Sequence, residues 1–282
     1  MPFLVSKSGG GGLSYDQTRR VTLRTPTRGV RTEAGATDWL DDVRAVALTL
    51  PVGAVFSHVT AAQLLGIPLA HDDTRPLHVT VPRGGRRGSR TAIAWHIGLL
   101  TGERTIVRGL PVTVAHRTWR DLGPMMDMPR LVAAADVIVR RSLASIDQLS
   151  VPPGCRGAHR LRAALPLIDP RSRSVRESLL RVRIHQRGLP DPQINFDVIE
   201  DGGWIGCGDM VWTEYRLVLE YDGDHHAQRR QRHQDAQTRN DYAEYGWKCL
   251  VFTAKHFERL DESVDQVARV LRQRGWPGPD PV

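Results

Sequence analysis

The segment GDMVWTEYRLVLEYDGDHH, residues 208 to 226, sets Asp209, Glu220 and Asp222 into what reads as paired strands and follows them with His225 and His226. Period two along YRLVLEYDG puts Val218, Glu220 and Asp222 on one face of a strand, and Leu217, Leu219 and Tyr221 on the other. Asp209, in the adjacent strand of a hairpin, can point into the same space. Carboxylates converging there without a nearby Lys repel one another, and burial raises their pKa values unless a cation neutralises them. A divalent ion resolves that conflict. Oxygen ligands suit Mg²⁺ or Mn²⁺, which hydrolyse phosphodiesters by activating water and stabilising charge on the phosphate and leaving oxygen. A neutral imidazole from His225 or His226 can accept or relay a proton beside such an ion. Each residue also has a plainer reading: a strand-edge acid, polar loop histidines, and, for Asp235 and Arg239 one turn apart, a solvated ion pair rather than an arginine carried to a phosphate.

The elements around these residues are well punctuated. Ser174 and Glu177 form an S-x-x-E capping box opening a helix that stops at Gly188. QINFDVIE alternates, DGG at 201–203 signals a tight hairpin, and WIGCGDMVW and YRLVLEYDG supply the second and third strands. A charged helix from Arg229 to Tyr245 closes at Gly246, WKCLVFT is a fourth strand, and Val264, Val267, Val270 and Leu271 mark a last helix. The order helix, three strands, helix, strand, helix predicts an α/β domain with a mixed central sheet over 173–282.

The N-terminal half has another texture. Residues 1–16 include SGGGG and predict a flexible tail. RRVTLRTPTRGVRT reads as a ribbon, and two amphipathic helices follow, one behind Thr37 or Asp38 and one behind Ser57, ending at Gly66. A basic ribbon beside two short helices suggests a winged-helix-like α+β domain over 17–150. LHVTVPRGGRRGSRTAIAWHIGLL reads as a hairpin whose loop, carrying Arg83, Arg86, Arg87 and Arg90, reaches phosphates or is simply solvated. Helical spacing returns at 114–122 and 128–141. The Pro-, Gly- and Arg-rich stretch 151–172 is the expected linker.

At 282 residues with 40% hydrophobic content, the chain can build two domains. Apolar runs are too short for a bilayer span and no leader pattern opens the sequence, so a cytoplasmic location is expected. Cys155, Cys207 and Cys249 lie too far apart to read as a disulfide framework or a structural zinc site. The net charge of +8 is uneven: residues 1–170 carry 22 Lys and Arg against 13 Asp and Glu, whereas 171–282 carry 17 against 18. A localised positive field fits a polyanion such as DNA, and an Arg-rich solvated surface is the alternative.

Over residues 173–275, ESLLR, GDMVW, LEYDGDHH, DAQTRND and GWKCLVFTA resemble an uncharacterised endonuclease-like family of the PD-(D/E)XK, restriction-endonuclease-like superfamily, related to very-short-patch repair endonucleases. FSHVTAAQLLGIPL and GLPVTVAHRTWRDLG resemble the winged-helix region of type IV abortive-infection antitoxins. The resemblance implies an αβββαβ nuclease core, with Asp209 and Glu220 as metal ligands aided by Glu177, and DNA as partner. Asp222 stands where the superfamily carries its catalytic Lys, which leaves His225 or His226 to supply the base. The expected activity is metal-dependent DNA cleavage, easier as a homodimer where both strands are cut. The alternative is a DNA-binding regulator, antitoxin-like, on a silent nuclease fold.

Overall fold

The structure, a computed structural model, describes residues 2–5, 23–33, 38–69, 76–88, 90, 92–222 and 229–278. It is a mixed α/β protein with mixed sheets, divided into two compact units. The first comprises residues 1–125 with 147–150 and 154–156; the second comprises 126–146, 151–153 and 157–282.

In the first unit, β1 (Phe3–Leu4) and β2 (Leu23–Arg24) pair antiparallel with opposite edges of β3 (Val30–Glu33). The described start of the expected tail is therefore a strand, because β3 offers an edge to Phe3 and Leu4; 6–22 lie outside the described residues. Helix α1 (Trp39–Ala47) starts at Asp38, whose carboxylate accepts the Leu40 N–H. It and α2 (His58–Leu64) pack Val43, Val46, Ala61 and Leu64 against Leu77, Val79 and Val81 of a five-stranded sheet. That sheet runs β6 (Ile93–Leu99), β5 (Leu77–Pro82), β4 (Val55–Phe56), β8 (Leu110–Thr113), β7 (Arg104–Val107). β5 and β6 are parallel, Leu77 beside Ile93 and Thr80 beside His96. This corrects the expected hairpin: the connection through Arg83–Arg90 returns along the sheet, a span that ten extended residues, at roughly 3.3 Å each, can cover. Helix α3 (Ala115–Leu122) ends the unit's main run and buries Trp119 completely.

The second unit begins earlier than the 151–172 stretch suggests. Helix α4 (Met128–Arg140) belongs to it, because Asp136, fully buried, accepts hydrogen bonds from Ser178 Oγ and Arg181 Nη2 of α6 (Val175–Gln186) and from the Asp169 N–H. Helix α5 (Ala158–Ala164) lies between them in sequence. The sheet runs β12 (Lys248–Phe252), β11 (Leu217–Tyr221), β10 (Gly203–Trp212), β9 (Gln193–Glu200). Asp201 and Gly202 both take positive φ, +50° and +77°, the backbone that a two-residue hairpin of right-handed twist requires. β11 and β12 are parallel and bridged by α7 (Arg229–Glu244). One sheet face packs Met210, Leu217 and Leu219 with α6 and α9 (Leu260–Gln273), after the short α8 (Ala254–Glu258); the other packs Val211 and Val218 with Tyr242 and Trp247.

Candidate functional site

Asp209 is held where β10 meets β11. Its Oδ2 accepts the Tyr221 backbone N–H at 2.7 Å. Burial pushes its pKa up, the Tyr221 hydrogen bond opposes this, the Glu177 negative charge adds to the rise, and Arg173 lowers it. Glu177, buried in the first turn of α6, has its place fixed from both sides. Its N–H donates to the capping Ser174 Oγ, and its Oε2 accepts the Arg173 N–H at 2.8 Å and Asn195 Nδ2 at 2.9 Å. Only half of the expected capping box is therefore present: Ser174 caps the helix, while the Glu177 carboxylate takes the Arg173 N–H rather than that of Ser174, and its charge reaches Asp209. Among the described residues, no hydrogen bond engages Asp209 Oδ1 or Glu177 Oε1.

Glu220 follows Leu219 in β11, one register step beyond the Leu219–Met210 pair, which puts its backbone beside Asp209. Its carboxylate, however, acts on Cys249 and Tyr242. It accepts from the Cys249 thiol, and burial with this negative charge pushes that thiol up to about 12; the Tyr242 hydroxyl is raised by burial and the same charge. Asp222, the residue after β11, is exposed, its N–H donating to Phe252 O at 2.7 Å. Arg239 on α7 is exposed, and its charge reaches Cys249. His225, His226 and the Asp235 side chain lie outside the described residues. Tyr221 turns away from Glu220, under the Arg176 guanidinium and edge-on to Phe257.

The arginines of the β5–β6 connection separate into two kinds. Arg83, Arg86 and Arg87 are exposed. Arg90 donates to Thr27 Oγ1 at 2.9 Å and Arg28 O at 2.7 Å, which ties the connection to the β2–β3 turn.

A second cluster escaped the sequence reading. His58 opens α2, His78 is on β5 and His96 is on β6; one ligand nitrogen of each lies within 4.8 Å of the others. His78 Nδ1 and His96 Nε2 are 3.0 Å apart, and the His58 and His96 rings stack with centroids 3.7 Å apart. Burial and the neighbouring rings lower the His58 pKa to about 2 and that of His96 to about 4. Around them, Ser57 Oγ is 2.9 Å from His58 Nδ1 and accepts from Thr80 Oγ1, while Arg117 Nε donates to Asp121 Oδ1 at 2.8 Å. Glu103 accepts from Arg117 and Arg120. The available signal was a histidine in each of two largely apolar strands, LHVTV and IAWHIGL. Only the parallel register joins them.

No family model matches the chain. Two sequences from Mycobacterium tuberculosis, "Uncharacterized protein MT2308" of strain CDC 1551 / Oshkosh and "Uncharacterized protein Rv2248" of strain ATCC 25618 / H37Rv, are each 27% identical to it. The likeness runs over 223 residues, 76% of this chain and 78% of each relative. A crystal structure of the RV2827C protein from the same species is similar over 59% of this chain and 71% of its own, with a TM-score of 0.43 and 15% identity.

Proposed function

We propose that the chain is a metal-dependent DNA endonuclease, its second unit a restriction-endonuclease-like core and its first a winged-helix-like grip on DNA. The observation that carries this reading is that Asp209, at the β10–β11 junction, lies within electrostatic reach of the buried Glu177 on α6. Each carboxylate has one oxygen engaged by backbone or amide donors, and the negative charge of Glu177 raises the Asp209 pKa. Such a pair fits a hard divalent cation, because uncompensated like charges at low exposure are costly and oxygen donors suit Mg²⁺ or Mn²⁺. Asp209 and Glu177 would hold the ion, with Glu220 adding a ligand after leaving Cys249. The bound ion would supply Lewis-acid activation of water and charge stabilisation on the phosphate. Tyr221 fixes the Asp209 carboxylate through its N–H, and Arg173, whose charge reaches Asp209, offers an electrostatic contact for a phosphate oxygen.

One observation favours a second reading, a DNA-binding regulator on a silent nuclease fold. The Glu220 carboxylate acts on the Cys249 thiol, and the resemblance would put Asp222 where the superfamily carries its Lys. The two readings separate in cleavage of supercoiled, linear and mismatched DNA with Mg²⁺, Mn²⁺ or EDTA. The nuclease reading expects metal-dependent nicking that falls at least about 100-fold in Asp209→Ala and in Glu220→Ala. DNA binding without cleavage under every metal would replace it with the regulator.

A further inference from the structure

We propose that His58, His78 and His96 form a binding site for a divalent transition ion of the zinc class, with Ser57 and Asp121 as its positioning residues. The site belongs wholly to the first unit and is separate in chemistry from the acidic pair. Its donors are three imidazoles, which suit Zn²⁺, Co²⁺ or Ni²⁺ and not Mg²⁺.

Geometry supports this first. Zinc–nitrogen bonds of about 2.0–2.1 Å at tetrahedral angles separate ligand nitrogens by about 3.3 Å. His78 Nδ1 and His96 Nε2 already stand 3.0 Å apart, at hydrogen-bond distance, and all three ligand nitrogens lie within 4.8 Å; the rings are stacked, within 28° of parallel, so binding would exchange that hydrogen bond for the ion and turn the rings until their nitrogens converge. The strands cannot easily change this spacing, because His78 and His96 stand on parallel neighbours fixed by the Leu77–Ile93 to Val81–Ile97 register.

The surroundings of His58 supply an independent observation. Its Nδ1 faces Ser57 Oγ at 2.9 Å and Asp121 Oδ2 at 3.7 Å. Asp121 has a side chain only 9% exposed, and its Oδ2 is buried without a hydrogen-bond partner among the described residues, although Oδ1 is engaged by Arg117. A buried carboxylate oxygen is costly when unpartnered. Binding of an ion to His58 Nε2 would fix the Nδ1–H tautomer and strengthen it as a donor towards Ser57 and Asp121, the arrangement that orients histidine ligands. His58 also holds φ at +52°, left-handed for a residue with a Cβ, so its ring is presented at the cost of local backbone strain. With three protein ligands, a fourth position remains for water or a small anion. The partial exposure of His96 gives it access to solvent.

The test uses the full chain, stripped with a chelator and dialysed against Zn²⁺ or Co²⁺ alone, with bound metal measured directly. One saturable equivalent is expected, retained in Asp209→Ala, together with the strong visible absorption of Co²⁺ in a nitrogen-rich site of low coordination number. His96→Gln should lose affinity at least about 100-fold, and Asp121→Asn about 10- to 100-fold with the stoichiometry kept. Zn²⁺ should raise the melting temperature of the unmutated chain and not that of His96→Gln. Absence of saturable binding, binding unchanged in His96→Gln, or loss of the equivalent in Asp209→Ala would each overturn the proposal. Should the histidine variants unfold, the Co²⁺ spectrum of the unmutated chain decides: the faint absorption of an octahedral oxygen site would exclude the three imidazoles.

Discussion

Glu220 and Asp209 stand on neighbouring strands, yet their carboxylates keep different company: one accepts from a thiol, the other from a backbone N–H. The acids themselves were legible, since a period-two count exposes a charge inside an apolar strand. Their orientation was not, because it depends on Tyr242 of α7 and Glu177 of α6, which approach from elements distant in sequence. The contact with Cys249 has a chemical readout. Thiolate is the reactive form, and a thiol pushed up to about 12 is ionised to roughly one part in ten thousand at pH 8. Cys249 should therefore resist iodoacetamide at pH 8 when mapped by mass spectrometry. Glu220→Gln, which removes the negative charge disfavouring ionisation, should raise its labelling rate several-fold. An unchanged rate would place the Glu220 carboxylate away from the thiol.

At the scale of elements, α4 and α6 are joined through one buried acid, Asp136, inside apolar packing. Asp136 and Arg181 are 0% and 10% exposed in their side chains, and Ser178 and the Asp169 N–H complete the carboxylate's partners. Asp136→Ala would leave the guanidinium buried without its counter-charge. A loss of about 3–5 kcal/mol is expected in urea unfolding, against under about 1 kcal/mol for removing an exposed acid such as Asp265, whose partner is the surface Arg187. Helical spacing foretold α4 itself, and Asp127 caps it as a sequence of that kind allows. What periodicity could not convey was its allegiance. Asp136 reads locally as an interruption of an apolar run, and its partner is 45 residues away, so the Pro- and Gly-rich stretch at 151–172 looked like the boundary. The tight β9–β10 turn was legible for the opposite reason: DGG sets its own backbone.

Across the whole molecule, stability should respond to acid through the histidine cluster. The unfolded chain takes up protons below the ordinary histidine value of 6.5, whereas folded His58 resists until about 2 and His96 until about 4. A folded pKa below the unfolded one means that stability is lost as pH falls through 6.5. His58 alone contributes on the order of 2 kcal/mol between pH 6.5 and 5, opposed in part by the facing Asp121, whose carboxyl burial raises to about 6 and which adds stability as pH falls, while His96 and His78 add to the loss. Thermal unfolding of metal-stripped protein at pH 7, 6 and 5 should show this decline, flattened in His58→Gln; a melting temperature constant over that range would contradict it. The cluster stayed hidden in the sequence because residues 58, 78 and 96 meet only through the order β6-β5-β4-β8-β7. That same order bears on synthesis. β4 is only two residues long and sits at the centre of its sheet, paired on one side with β5 and on the other with β8, which ends at Thr113. While the chain is still emerging from the ribosome, Val55 and Phe56 must wait for more than fifty further residues before their second edge is closed. Until then, that edge is open to any other strand, and a pause in translation between Gly66 and Thr113 would lengthen the interval in which nascent copies can pair with each other.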